Sequence, residues 1–426
     1  MTSKTAATPH MQESEICPAC DSRIPHYPQF TTWCECGWNL RPYQPDEGTN
    51  HSARKQAAAG NRKGERMLQE MKDVTSRSLS APAWKNKIAL YLCASLIHLA
   101  TLAMLGIGIW LIVANVFHAP LLSGIGVLLL VITFLSFPSL GRIDRRTLLD
   151  REQFPALYAL ADRIADSLGA KRVHGLQISE AFNATYTETG WGRKSIVTLG
   201  LPLMTILTPE EKVALIGHEI AHGANGDLTR GLFVNTAFRA AAQWYRYLTP
   251  DRDGGGILAQ LTELTMRGLS QIPFALLRIL SRLSHDDQQR SEYYADALAS
   301  RASGVQGQVG LTRKLHIAES FYSCVQRHVL QKQEGDLMRI WQSYAERIPA
   351  REFDRLDRVQ RLTGSRLDHT HPPTPYRLEL LHALPPSLPA VTVGPEEHDA
   401  ICLELAAFHE AVNALLKDEL INRLYA

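Results

Sequence analysis

Apolar and charged positions divide this chain into stretches of very different character. From residue 88 to residue 141 there is no Asp, Glu, Lys or Arg, a run of 54 residues. The run breaks at His118-Ala119-Pro120, leaving apolar stretches over 88–117 and 121–140. As helices, both are long enough to cross roughly 30 Å of hydrocarbon. A soluble helix rarely lacks a polar face for so long. The pattern therefore predicts a two-helix transmembrane hairpin over 87–141. Its three-residue connection carries no Lys or Arg. Arg62, Lys63, Arg66, Lys72, Arg77, Lys85 and Lys87 precede the hairpin, and Arg142, Arg145, Arg146 and Arg151 follow it. Positive flanks stay inside, so both termini are expected on the cytoplasmic side of the cell membrane. His98, within the first span, reads as a packing or interfacial residue.

Beyond residue 142 the pattern is that of a soluble domain. Apolar residues recur at helical spacing over 154–168, with Pro155 suited to the first turn. Residues 173–179 and 195–199 read as strands, with 189–192 as the turn region before the second. After Gly200 the pattern is mostly helical. Residues 257–283 are apolar but carry Glu263, Arg267, Arg278 and Arg282, which predicts a pair of amphipathic or membrane-surface helices. Ahead of the hairpin, 44–86 is rich in small, polar and basic residues and reads as a linker with one helical stretch near 53–74. The whole is expected to be an α+β fold: a mostly helical domain with a small sheet over 142–426, attached to the hairpin.

Composition narrows the function. The chain has 426 residues, with 45 Lys+Arg against 43 Asp+Glu. That balance excludes a strongly basic nucleic-acid binder, and no nucleic-acid partner is expected. The first residues lack the apolar core of a secretory signal. Four of the seven cysteines fall at Cys17, Cys20, Cys34 and Cys36. C-x2-C and C-x-C are tight turns that each aim two thiolates at one ion, the pattern of a closed structural zinc site. Residues 14–43 resemble a zinc ribbon. Its segment is too short to bury much apolar surface, so metal would supply its folding energy. Two disulfides or free thiols are the alternatives. A protein-interaction role fits it better than nucleic-acid contact, since Arg23 and Arg41 are its basic residues.

The chemistry gathers at His218-Glu219-Ile220-Ala221-His222. Thr208, Pro209 and Glu211 form a capping box that starts a helix there, and Asn225-Gly226 can end it. Four residues of helix put His218 and His222 on one face, with Glu219 turned about 100° from His218. H-E-x-x-H in this setting is a metal-binding and proton-transferring pattern. A catalytic zinc needs a third protein ligand and one open position. No third histidine follows at the extended spacing. Glu292 is a candidate, with Asp296 one turn further as an orienting carboxylate. Glu263, Asp286 and Asp287 are rivals.

HEIAHGANGDLT followed by SEYYADALAS closely resembles the HtpX-like and CAAX-prenyl-protease-like membrane metallopeptidases, a branch of the gluzincins. FPALYALADRIADSLG, then Asn183-Ala184, and THPPTPYRLE are similar to that family's other motifs, in order, between residues 142 and 383. The resemblance implies His218, His222 and Glu292 as ligands of a catalytic zinc, Glu219 as general base and Asp296 as the partner of a ligand histidine. His371, Arg377, Tyr293 and Asn183 become candidates for contact with the reacting carbonyl or the substrate. Substrate backbone is expected to add to an exposed strand at 183–187 or 195–200. The implied function is a membrane-anchored zinc endopeptidase, with one catalytic and one structural zinc, acting on proteins or peptides beside the bilayer. The alternatives are a processing protease for modified tails and a catalytically silent zinc-ribbon adaptor.

Overall fold

The computed structural model describes residues 14–41, 51–77, 84–136, 146–189, 194–224, 227–249, 256–363 and 372–425. Residues 190–192 of the expected turn, Asn225-Gly226 and His371 lie outside them. The chain begins with a hairpin of β1 (Ser14–Ile16) and β2 (Arg23–Pro25), followed by α1 (His51–Arg77), α2 (Trp84–Asn115) and α3 (Pro120–Ser136). Next come α4 (Pro155–Ser167), β3 (Gly175–Ser179), β4 (Ala184–Thr189) and β5 (Lys194–Gly200). Helices then follow to the end: α5 (Leu201–Ile206), α6 (Pro209–Ala224), α7 (Asp227–Tyr247), α8 (Ile257–Lys314), α9 (Ala318–Leu330) and α10 (Leu337–Ala345). The last four are α11 (Ala350–Thr363), α12 (Thr374–Ala383), α13 (Pro395–Ala406) and α14 (His409–Tyr425). The fold is thus mostly helical with small sheets, as the pattern predicted.

The main core packs α4, α6 and the three-stranded sheet together, with Leu157, Ile164, Leu176, Val197, Leu199 and Ile216 fully or almost fully buried. β5 is the central strand, parallel to β3 and antiparallel to β4. Both edges of β5 are therefore taken. Of the two strands expected to receive substrate backbone, residues 195–200 are excluded and β4 is left as an edge. α4 lacks a side-chain cap at Phe154. Its first amides instead donate to Glu404 across the fold, Ala156 N at 2.7 Å and Leu157 N at 2.9 Å. A carboxylate there also complements the positive end of the helix.

α2 and α3, joined by four residues, pack along one another. α2 is the one described helix long and apolar enough to cross a membrane, over Ile88–Asn115; α3 is apolar and 17 residues long within the described range. Leu90, Cys93, Ala94 and Ile97 of α2 are buried against Val234, Ala237 and Ala241 of α7 and Leu280 of α8. The outward residues Leu99, Leu102, Trp110 and Val113 are exposed. His98 is a packing residue: Nε2–H donates to the Phe233 carbonyl at 2.9 Å, and the ring lies 4.5 Å from that of Phe233.

Two sequence expectations are corrected. Residues 257–283 form one continuous stretch of α8, not a pair of helices, because its Leu276, Leu277, Leu280 and Leu283 are held against α2 and α7 across Pro273. Nor is the stretch at 53–74 a free linker. α1 buries Met67, Leu68 and Met71 against Tyr293 and Leu380. It also pairs Lys63 with Asp286, Glu70 with Arg290 and Lys72 with Glu379. Three apolar residues on one turn are worth roughly 1.5–3 kcal/mol each when buried, enough to dock a helix that is otherwise basic.

The cysteine-bearing segment is docked too. Trp33 is buried with the guanidinium of Arg351 4.3 Å and that of Arg358 5.1 Å from its ring centre. Arg351, Arg355 and Arg358 of α11 donate to the carbonyls of Trp33, Leu40 and Glu35. Arg41 returns a bond to the Val359 carbonyl at 2.9 Å. One face of this segment is therefore covered by the chain's own α11.

Candidate functional site

α6 starts as the capping box predicts. Thr208 N donates to Glu211 Oε2 at 2.8 Å, and Glu211 N approaches Thr208 Oγ1 at 3.4 Å. The helix is buried along most of its length, so His218 and Glu219 sit inside the domain while His222, a turn later, is half-buried. α8 runs beside it and brings Glu292 between the two histidines. His218 Nε2 and His222 Nε2 are 3.3 Å apart. Glu292 Oε2 is 3.4 Å from His218 Nε2, and Glu292 Oε1 is 3.6 Å from His222 Nε2. Ligands about 2.0–2.1 Å from a tetrahedral zinc are separated by ~3.4 Å. The three donors therefore already have the spacing of one zinc's ligand set. With Nδ1 protonated, His222 donates to Ser291 Oγ at 3.4 Å, which leaves Nε2 for the centre. Of the rival carboxylates, Glu263 pairs with Arg267 and Asp286 with Lys63, and none of the three joins this group.

A charged network stands behind the donors. Asp296, fully buried, places Oδ1 3.0 Å from His218 Nδ1, an ion-pair distance with the ring N–H out of line for a hydrogen bond. Arg377 of α12 grips the same carboxylate with two bonds, Nε to Oδ2 at 2.7 Å and Nη2 to Oδ1 at 2.6 Å. Gln308 Nε2 adds a third at 2.8 Å. Burial works against ionising Asp296, but Arg377 and then His218 outweigh it and hold its carboxyl at about 2. Burial likewise opposes charging His218, and Asp296 with Glu292 reverses the effect, so the imidazole is raised well above its ordinary value. The pocket is thus strongly predisposed to a cation at the point where the three donors meet.

Gln308 is a residue that sequence reasoning missed. Twelve residues of straight helix separate their ends by about 18 Å, yet Gln308 reaches Asp296. Gly304 makes this possible: its φ of 75° breaks α8 and folds the last turns back. Only glycine adopts such a backbone at little cost.

Two candidates for contact with the reacting carbonyl are placed elsewhere by the fold. Arg377 is spent on Asp296, and its Nη1 lies 4.0 Å from Glu292 Oε2. Tyr293 points away into the cluster of Met67, Leu68 and Leu380. Asn183 is exposed at the start of β4, where its carbonyl accepts from Gly200 N at 2.8 Å. β4 passes close to the site itself. A Cβ on Gly223, next to His222, would lie 2.4 Å from the Tyr186 hydroxyl, so the Tyr186 ring of β4 reaches the helix beside the cluster.

In the N-terminal hairpin the sulfurs pair as Cys17–Cys36 at 3.7 Å and Cys20–Cys34 at 3.5 Å. These distances are far beyond a disulfide of about 2.05 Å. They match the ~3.8 Å edge of a tetrahedron of sulfurs around zinc. The donor set, four thiols brought together within one short segment, fits a structural ion.

Residues 152–384 match the model of peptidase family M48. Similar proteins include the protease HtpX of Psychrobacter sp., 27% identical over 142 residues, or 31% of this chain and 45% of that protein. The protease HtpX of Alcanivorax borkumensis is 36% identical over 106 residues, 23% of this chain and 34% of that protein. That of Pseudomonas putida is 22% identical over 152 residues, 33% of this chain and 50% of that protein. The chain therefore spans half or less of the length of each. The family match takes in over half of the 426 residues and contains both helices that carry the histidine–glutamate cluster, so the chain belongs to peptidase family M48.

Proposed function

We propose that this protein is a membrane-anchored, zinc-dependent endopeptidase with its active site at the cytoplasmic face. The observation that carries the reading is the convergence of His218, His222 and Glu292 at zinc-ligand spacing, with Glu219 on the same helix between the histidines. In this reading those three residues hold the metal. Zinc bound there would supply Lewis acidity, enough to polarise a peptide carbonyl and to make water reactive near neutral pH. Glu219 takes the proton from that water and returns it to the leaving amine. Asp296 fixes the ring of His218, and Arg377 and Gln308 keep Asp296 ionised and in place.

Substrate reaches the site as an added strand on the edge of β4, which begins just after the exposed Asn183. Pairing through backbone favours a broad range of unfolded or loosely folded chains over one tail sequence. The α2–α3 hairpin enters the bilayer, and the basic residues on both flanks keep the catalytic half inside. The exposed side chains of α8, among them Leu261, Leu264 and Ile272, continue the apolar surface of α2 and keep the site close to the membrane. The cysteine hairpin holds a second, structural zinc.

Purified protein in nanodiscs should hydrolyse an unfolded protein such as casein. A chelator should abolish the activity, zinc should restore it, and Glu219→Gln should lack it with the fold intact. Hydrolysis by Glu219→Gln at the wild-type rate would sink the reading.

A further inference from the structure

The catalytic residues occupy the C-terminal half of α6. Its N-terminal half borders a separate cavity of about 410 Å³. That size is within the ordinary range of small-molecule sites, roughly 300–1,000 Å³. Leu207, Lys212 and Lys314 form one side. The other is built by His398, Cys402 and Leu405 of α13 and His409 of α14. Those two helices lie beyond residue 384, where the family match ends. The cavity therefore sits where the family-matched region meets the two helices that follow it.

Its charges do not cancel. Lys314 Nζ donates to Glu211 Oε2 and the Ile206 carbonyl, and His409 Nδ1 pairs with Asp336 Oδ2 at 2.6 Å. Glu346 is exposed at the rim, where water screens it. Lys212 is different. It is 2% exposed, and its ammonium has three protons to give. One goes to the Leu207 carbonyl at 2.6 Å, a neutral partner. Burial pushes the group down to about 8, which a bound anion would relieve. A second polar group is at hand: His398 lines the cavity, with its Nε2 3.5 Å from Cys402 Sγ. The remaining walls are apolar, with Met204, Ile317, Phe353 and Leu405.

We propose that this cavity is a binding site for a small carboxylate with an apolar body. Lys212 and His398 take the two oxygens of the head, and Phe353 and Leu405 pack against the body. One ammonium and one imidazole N–H suit a singly charged carboxylate better than a doubly charged phosphate. An occupant ties α13 to the start of the helix that carries His218 and His222.

Cys402 lines the cavity and is exposed, so it reports occupancy directly. Full-length protein in nanodiscs would be alkylated with iodoacetamide in the presence of 4-phenylbutyrate, and labelling at Cys402 followed by mass spectrometry. At ten times its Kd the carboxylate should slow labelling about tenfold by mass action. Acetate, which lacks the body, and 4-phenylbutanol, which lacks the charge, should leave the rate unchanged. Lys212→Met should abolish the protection. Ala345→Phe, which adds bulk to the lining and keeps the lysine, should do the same and serves if Lys212→Met fails to fold. Equal protection by the alcohol, unchanged protection in either folded variant, or no slowing by millimolar 4-phenylbutyrate would each overturn the proposal.

Discussion

The two donor clusters of this protein are built in opposite ways. The four cysteines lie within 20 residues of one another and are assembled by one hairpin and two tight turns. The histidine–glutamate cluster draws on residues 74 positions apart, from His218 to Glu292, and on Arg377 and Gln308 behind them. The first is local and closes on itself. The second is buried in the main core, with Tyr186 of β4 passing beside it at Gly223. A closed local cluster stabilises only its own segment, whereas an open one needs a rigid frame to keep three donors and a base in register. The comparison predicts that damage to the frame reaches the chemistry and damage to the hairpin does not.

The largest effect is expected from His222→Ala. Metal content should fall from two zinc ions per chain to one, and turnover should fall by at least the ~10²–10⁴-fold that loss of a general base costs. Elemental analysis beside a casein assay reads both. Arg377→Met comes next. It strands the buried Asp296 carboxylate without its bidentate partner, a loss of about 3–5 kcal/mol. Denaturant titration of the catalytic half checks it. Asp296→Asn should be milder, weakening zinc by roughly 10–100-fold through a misoriented His218; added zinc should partly rescue its activity. The smallest effect on turnover is expected from Cys17→Ser. It should remove the hairpin's zinc and loosen the contact of Trp33 with α11, while casein hydrolysis stays near wild type. If Cys17→Ser silenced the enzyme as fully as His222→Ala, the separation between the two regions would fail.

The same division decides what the sequence could reveal. The cysteine pairs, the capping box at Thr208 and Glu211, and the two histidines are set by neighbours within a turn or two, and the pattern exposes them. β3 and β5 were legible because their apolar runs are bounded by turn residues. The position of Glu292 was narrowed by spacing and by resemblance, not by local chemistry. Gln308 carried no signal, since a straight helix would hold it about 18 Å from Asp296 and the reversal depends on φ at Gly304 alone. The docking of α1 was hidden because only Met67, Leu68 and Met71 mark its inner face within a basic sequence. The grip of Arg351, Arg355 and Arg358 on the cysteine hairpin joins segments more than 300 residues apart. Pairings at that distance depend on the finished fold.

The central claim is that Glu219 handles the proton and Glu292 holds the metal. Measuring bound zinc and casein turnover on the same preparations of Glu219→Gln and Glu292→Ala separates the two roles. Glu219→Gln should keep both zinc ions and lose about 10²–10⁴ in rate. Glu292→Ala should keep only the hairpin's zinc and lose its activity with the other. Loss of zinc from Glu219→Gln, or full zinc and turnover in Glu292→Ala, would contradict the account.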